Sequence, residues 1–164
     1  MDQISVSTTI ARPREEVFDY LADIANHAEF SDHYLVDWHL TREDSHGQGA
    51  GARFRMKMPF NRFGWADMTF VEVQRPHRIV ARGRGGKYNR ISMLGVWTLT
   101  PAPGGTTTVE YTFQTDAPLP SDRLLEALGG RAWMKRALAR SLRRLRGILE
   151  RNRGRGHRAT VAAG

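Results

Sequence analysis

A chain of 164 residues, 40% hydrophobic and 26% charged, is long enough to bury one real core. It has no cysteine, which excludes disulfides, thiolate zinc sites and a cysteine nucleophile. The formal charge of +8 is segregated: residues 1–130 carry 14 Lys/Arg against 16 Asp/Glu, whereas residues 131–164 carry 11 against Glu150 alone.

In chain order, Ile4-Ser5-Val6-Ser7-Thr8-Thr9-Ile10 alternates apolar and polar positions, the period of a half-buried strand. Met1-Asp2-Gln3-Ile4-Ser5 lacks a basic segment leading into an apolar run, and no stretch reaches the ~18 apolar residues that cross a bilayer, so the expectation is a soluble, cytoplasmic protein. Pro13 suits a first helical position, Glu15 and Glu16 favour the positive end of the helix dipole, and Val17, Phe18, Leu21 and Ile24 recur at helical spacing. A second short helical turn is expected within residues 25–32.

From His33 to Asp116 the pattern is of successive strands. Tyr34, Val36, Trp38 and Leu40 alternate with His33, Leu35, Asp37 and His39, and Phe54, Met56 and Met58 alternate with Arg53, Arg55 and Lys57 after the glycine-rich turn at 45–51. Strands follow at 65–73, 78–81, 88–100 and 106–115, separated by Arg75-Pro76-His77, Gly83-Arg84-Gly85-Gly86 and Pro101-Ala102-Pro103-Gly104-Gly105. Loops this short imply an antiparallel meander. Ser121 is the expected cap of a last helix of some thirty residues. Its leucine stripe runs from Leu124 through Leu128 and Leu138 to Leu149, with a kink or a close approach to the sheet at Gly129-Gly130. Residues 153–164 lack apolar period and are expected to form a disordered basic tail behind a single domain of residues 1–152.

This order predicts an α+β protein: a curved antiparallel sheet of about seven strands around a long C-terminal helix, with two short helices after strand 1. The stretch from Ile4 through Arg12-Pro13-Arg14-Glu15-Glu16-Val17-Phe18 to Asp23 resembles the entry of the START/Bet v 1-like (SRPBCC) superfamily, of the polyketide cyclase/dehydrase or coenzyme Q-binding type. His27-Ala28-Glu29-Phe30 is similar to its following turn, and Gly95 to Pro101 with Gly104 to Val109 is similar to its penultimate hairpin. The resemblance spans roughly residues 3 to 150. It implies the helix-grip fold and a cavity between sheet and helix, but not one activity, because the superfamily hosts carriers, cyclases and partner-binding modules alike.

The candidates for lining such a cavity are Trp38, Phe54, Met56, Met58, Trp65, Phe70, Trp97, Tyr111 and Phe113 from the strands, with Leu128, Met134 and Leu138 from the helix. Aromatics and methionines suit a flat or flexible ligand. The leading expectation is a non-enzymatic module that binds a lipid-, quinone- or polyketide-like molecule without a cofactor. The alternative is a cyclase, aromatase or dehydratase in which Asp67, Tyr88 and Arg90 converge in the same pocket for acid–base chemistry. His33, Asp37 and His39 share strand parity but are spaced too widely for one ion, so no metal is expected. The glycine-rich Arg82–Lys87 lacks the ending of a phosphate loop and reads as a hairpin turn. Arg136, Arg140, Arg143, Arg144 and Arg151 form a basic helix face that is either solvated or docks on a ribosome, RNA or an anionic membrane. Oligomeric state is left open.

Overall fold

The computed structural model describes residues 1–162. Strand β1 (Ile4–Ile10) is followed by helix α1 (Arg14–Leu21), a 3-10 turn (Ile24–Asn26) and helix α2 (His27–Ser31). Six strands follow: β2 (Leu35–Leu40), β3 (Gly51–Met56), β4 (Trp65–Gln74), β5 (Arg78–Gly85), β6 (Ile91–Ala102) and β7 (Thr106–Asp116). Helix α3 (Pro120–Leu125), a wide turn (Glu126–Gly130), the long helix α4 (Arg131–Arg151) and a short β8 (Thr160–Val161) complete the chain. The strands form one sheet in the order β1-β7-β6-β5-β4-β3-β2-β8, antiparallel throughout except where β8 runs parallel to β2. No helix among the described residues is long and apolar enough to cross a membrane.

Alternation decides which face is buried. Ala66, Met68 and Phe70 of β4 point inward while Asp67 and Thr69 between them do not, and Trp97, Leu99, Val109 and Phe113 continue the inner face on β6 and β7. The core joins this face to Val17, Phe18 and Leu21 of α1 and to Met134, Leu138, Leu142, Leu145 and Ile148 of α4. In β2 the expected alternation fails. The pairing with β3 shifts between Val36 and His39, and Asp37 takes a φ of 55°, so Leu35 and Leu40 both end up buried although an even number of residues separates them.

The last helix is not continuous. Capping falls at Leu119, with Pro120 in the first turn, and the helix breaks at Leu128–Gly130, where Gly129 adopts a φ of 103°. Leu128 lies at this break and is 74% exposed, so it does not extend the leucine stripe. At the other end, Arg12 Nε donates to Leu149 O at 3.0 Å and the Ala11 amide donates to Glu150 Oε1 at 2.8 Å, tying the end of α4 to β1.

Within the described residues the basic tail, expected from the sequence to be disordered, packs back on the domain; Ala163 and Gly164 lie outside the described residues. Its arginines find carboxylates, which the absence of apolar period could not reveal. Arg155 Nη1 donates to Glu29 Oε2 at 2.7 Å, Arg158 pairs with Asp23, and the Ala159 amide donates to Ala25 O at 3.0 Å, delivering β8 to the edge of β2. The resulting arm covers an edge strand that would otherwise offer unpaired backbone groups.

Candidate functional site: a methionine-lined cavity

Between the sheet and α4 lies a series of spaces that share walls. The outer cavity, about 400 Å³, is bounded by the 57–64 loop, the β5–β6 turn, α3 and the first turns of α4. A neck of about 40 Å³ follows, sharing Met56, Met93, Phe113 and Met134 with the outer cavity. The neck in turn shares Tyr34, Leu35, Phe54, Met68, Tyr111 and Leu138 with an inner chamber of about 60 Å³. All six methionines of the chain, Met1, Met56, Met58, Met68, Met93 and Met134, line these spaces. Unbranched and polarizable, methionine can change rotamer around ligands of different shape at little cost.

At the mouth the acids are satisfied within the chain, while Arg62 and Lys87 line the same cavity, Lys87 over the Phe63 ring at 5.6 Å. Arg90 holds Asp122 through two hydrogen bonds of 2.7 Å and keeps its carboxyl below the usual range. Glu126 accepts from Thr115 Oγ1 and pairs with the chain's terminal ammonium at 2.7 Å. What remains facing the cavity there is largely apolar, with Phe63 half exposed and Phe60 95% exposed on the loop outside.

Deeper in, the walls are aromatic with a few polar atoms. Trp97 packs on Tyr111 at 4.3 Å between ring centroids, His27 meets the Trp97 ring edge-on at 5.5 Å, and Trp38 packs on Phe54 at 4.7 Å. Tyr111 can lie flat over the sheet because residue 95 is glycine: a Cβ there would stand 2.4 Å from the tyrosine hydroxyl. His27 Nε2 donates to Leu21 O at 2.8 Å, which fixes the neutral tautomer, and burial pulls its pKa down to about 4. Burial likewise pushes the Tyr34 and Tyr111 hydroxyls up. Everything ionisable in the chamber is therefore neutral near pH 7.

Of the residues expected to line the cavity, Phe54, Phe70, Trp38, Trp97 and Tyr111 reach the inner chamber, Met56, Phe113, Met134 and Leu138 the neck, and Met58 the outer cavity. Trp65 sits at the rim beneath the Arg53 guanidinium, 5.4 Å from its ring centroid, and Leu128 is outside. Missed were Met68 and Met93, legible from alternation with Ala66 and Phe70 and with Gly95 and Trp97. Also missed were His27, Tyr34 and Ser141, whose sequence neighbourhoods carry no signal that they face one another.

The acid–base trio does not assemble. Asp67 is on the outer face of β4, accepting from the Arg84 amide at 3.3 Å, and Tyr88 is 86% exposed in the β5–β6 turn. Arg90 alone reaches the cavity, at its mouth and bound to Asp122. His33 Nε2 donates to Ala137 O, and Asp37 takes Arg55 at 2.7 Å. On α4, Arg136, Arg140, Arg143 and Arg151 are exposed, whereas Arg144 is half-buried and spent on Asp32, on His33 Nδ1 and on the carbonyls of Glu29 and Gly154. The continuous basic face expected from the sequence is thus interrupted at its centre.

Residues 1–150 match the family model described as polyketide cyclase / dehydrase and lipid transport. No curated protein matches the chain in sequence. Among solved structures, TTHA0849 from Thermus thermophilus is similar with a TM-score of 0.70 at 15% identity, over 90% of this chain and 97% of that one. Truncated norcoclaurine synthase from Thalictrum flavum is similar at 0.67 and 11% identity, over 90% and 92%. DynU16, from the dynemicin biosynthetic locus, is similar at 0.63 and 20% identity; 95% of this chain covers 50% of that one. At these identities the likeness is one of fold.

Proposed function

Because the chain belongs to the polyketide cyclase/dehydrase and lipid transport family, we propose that it is a binding module for a small, largely apolar molecule of lipid, quinone or polyketide type. The observation that carries this reading is the gathering of all six methionines around one cavity system whose outer part, about 400 Å³, falls in the size range of ligand pockets. A core designed only for stability uses methionine sparingly, since its flexibility specifies packing poorly.

The test is displacement of Nile red from the purified protein, with native mass spectrometry of the protein as isolated. Saturable binding that is lost in Met58→Trp, where a half-buried position at the mouth can take a larger side chain without disturbing the core, is the expected result. Absence of any apolar ligand by both methods overturns it.

A cyclase or dehydratase reading is favoured by one observation, the neutral imidazole of His27 facing the inner chamber. It requires turnover of a polyketone-type substrate that disappears in His27→Gln while binding persists; turnover unchanged in that variant removes His27 from the chemistry. Docking on a ribosome, RNA or a membrane would draw on exposed cations such as Arg136, Arg140, Arg143 and Arg151, because Arg144, Arg155 and Arg158 are engaged within the chain.

A further inference from the structure

The inner chamber differs in character from the outer cavity. Its lining contains no Lys, Arg, Asp or Glu among the described residues, yet it holds several hydrogen-bonding groups. Ser141 Oγ, on a residue 4% exposed, makes no hydrogen bond. The Tyr34 hydroxyl has Ser141 as its side-chain partner, at a geometry short of a full hydrogen bond, and the Tyr111 hydroxyl beside it makes no hydrogen bond to another side chain among the described residues. With Nε2–H committed to Leu21 O, His27 Nδ1 is left as an acceptor. Ser31 and Trp38 are by contrast already used, donating to His27 O and Leu35 O. A buried hydroxyl without a full partner is costly, and with two tyrosine hydroxyls and an imidazole acceptor lining the same small space, Ser141 points to a group that completes it.

Resting on the cavity reading above, we propose that the inner chamber is an end-group subsite. It accepts an uncharged hydrogen-bonding group, a hydroxyl or a ketone-type carbonyl, at the tip of an otherwise apolar ligand, and it discriminates against a carboxylate. Hydroxyls that can donate or accept, together with a histidine acceptor, suit an alcohol or a carbonyl equally. A carboxylate would be buried with no cation in the lining to compensate it, which costs far more than the hydrogen bonds return. The chamber's size sets the shape of the tip. About 60 Å³ holds a few waters or a small functional group, and falls short of the roughly 150 Å³ that admits a benzene ring. The ligand therefore enters narrow end first, through the methionine neck, with its bulk in the outer cavity.

Three competitors of equal chain length, 1-octanol, n-octane and octanoate at pH 8, are titrated against bound Nile red with the wild-type protein and with the Tyr34→Phe/Tyr111→Phe/Ser141→Ala variant. Octanol is expected to compete at least about tenfold better than octanoate in the wild type. The variant is expected to weaken octanol by about tenfold, the loss of one to two hydrogen bonds, while octane is unchanged. Should the triple variant fold poorly, Ser141→Ala alone and octanol labelled with carbon-13 at carbon 1 decide the matter: contacts from that carbon to the Trp97 and Tyr111 rings support the subsite, and contacts to Phe63 or Trp65 at the mouth overturn it. An octanol affinity unmoved by the substitutions, or octanoate competing as well as octanol, overturns the subsite while the apolar cavity stands. If neither Nile red nor any competitor binds, both readings fall.

Discussion

Glu29 shows how a single charge constrains this fold. It is 4% exposed at the middle of α2, where it accepts from Tyr20 Oη at 2.8 Å and from Arg155 Nη1 at 2.7 Å. Arg155→Ala leaves that carboxylate buried with its cation gone. Because Arg155 is itself partly exposed, the expected loss is about 1–3 kcal/mol, below the full penalty for breaking a buried pair, measured by urea unfolding at pH 7. His27 makes a second prediction, with a definite sign. Its folded pKa, about 4, lies below its ordinary 6.5, so between these values the unfolded chain binds a proton that the folded chain refuses. Stability from this group is complete above pH 6.5 and is lost as pH falls toward 4, by about 3 kcal/mol. His33, also depressed by burial, contributes in the same direction. Unfolding curves at pH 7, 6, 5 and 4 are expected to show the decline, and His27→Gln to flatten most of it. A variant with the same slope as wild type would place the proton uptake elsewhere.

At the scale of elements, the break between α3 and α4 shapes the mouth. Gly129 holds a φ of 103°, a region open to glycine and strained for other residues, and α3 folds back to bring Leu125 and Asp122 to the cavity. Gly129→Ala is expected to cost about 1–2 kcal/mol by chemical denaturation and to weaken Nile red binding through displacement of α3. A stabilised variant with unchanged binding would show that the helix straightens freely and the mouth is not set by the break. The interruption itself was legible from Gly129-Gly130 in sequence, as were the strands with clean alternation. The bulge at Asp37 was not, because it arises from pairing between β2 and β3 rather than from any preference of Asp37 alone. The C-terminal arm escaped for a related reason. Its order comes from Asp23 and Glu29, more than a hundred residues away, and local composition carries no record of such partners.

For the whole molecule, ligand and fold are coupled through the cavity. A ligand that binds only the folded chain adds about 2.7 kcal/mol at one hundred times its Kd, which for a domain of this size raises Tm by about 5–10 °C. Titrating 1-octanol during thermal unfolding is therefore expected to raise Tm in the wild type and much less in Met58→Trp; equal shifts in both would locate binding outside the cavity. By itself the sequence determined the strand and helix order, the curved sheet gripping a C-terminal helix, and most of the apolar wall, because each follows from hydrophobic period along short stretches. Tertiary structure alone decided three things. It put Asp67 and Tyr88 outside the cavity, it spent Arg144, Arg155 and Arg158 on internal carboxylates, and it brought His27, Tyr34, Tyr111 and Ser141 to one small chamber. These four come from α2, the turn after it, β7 and α4. Only folding brings such distant positions together, so the polar end of the cavity could be read only once the sheet had closed around the helix.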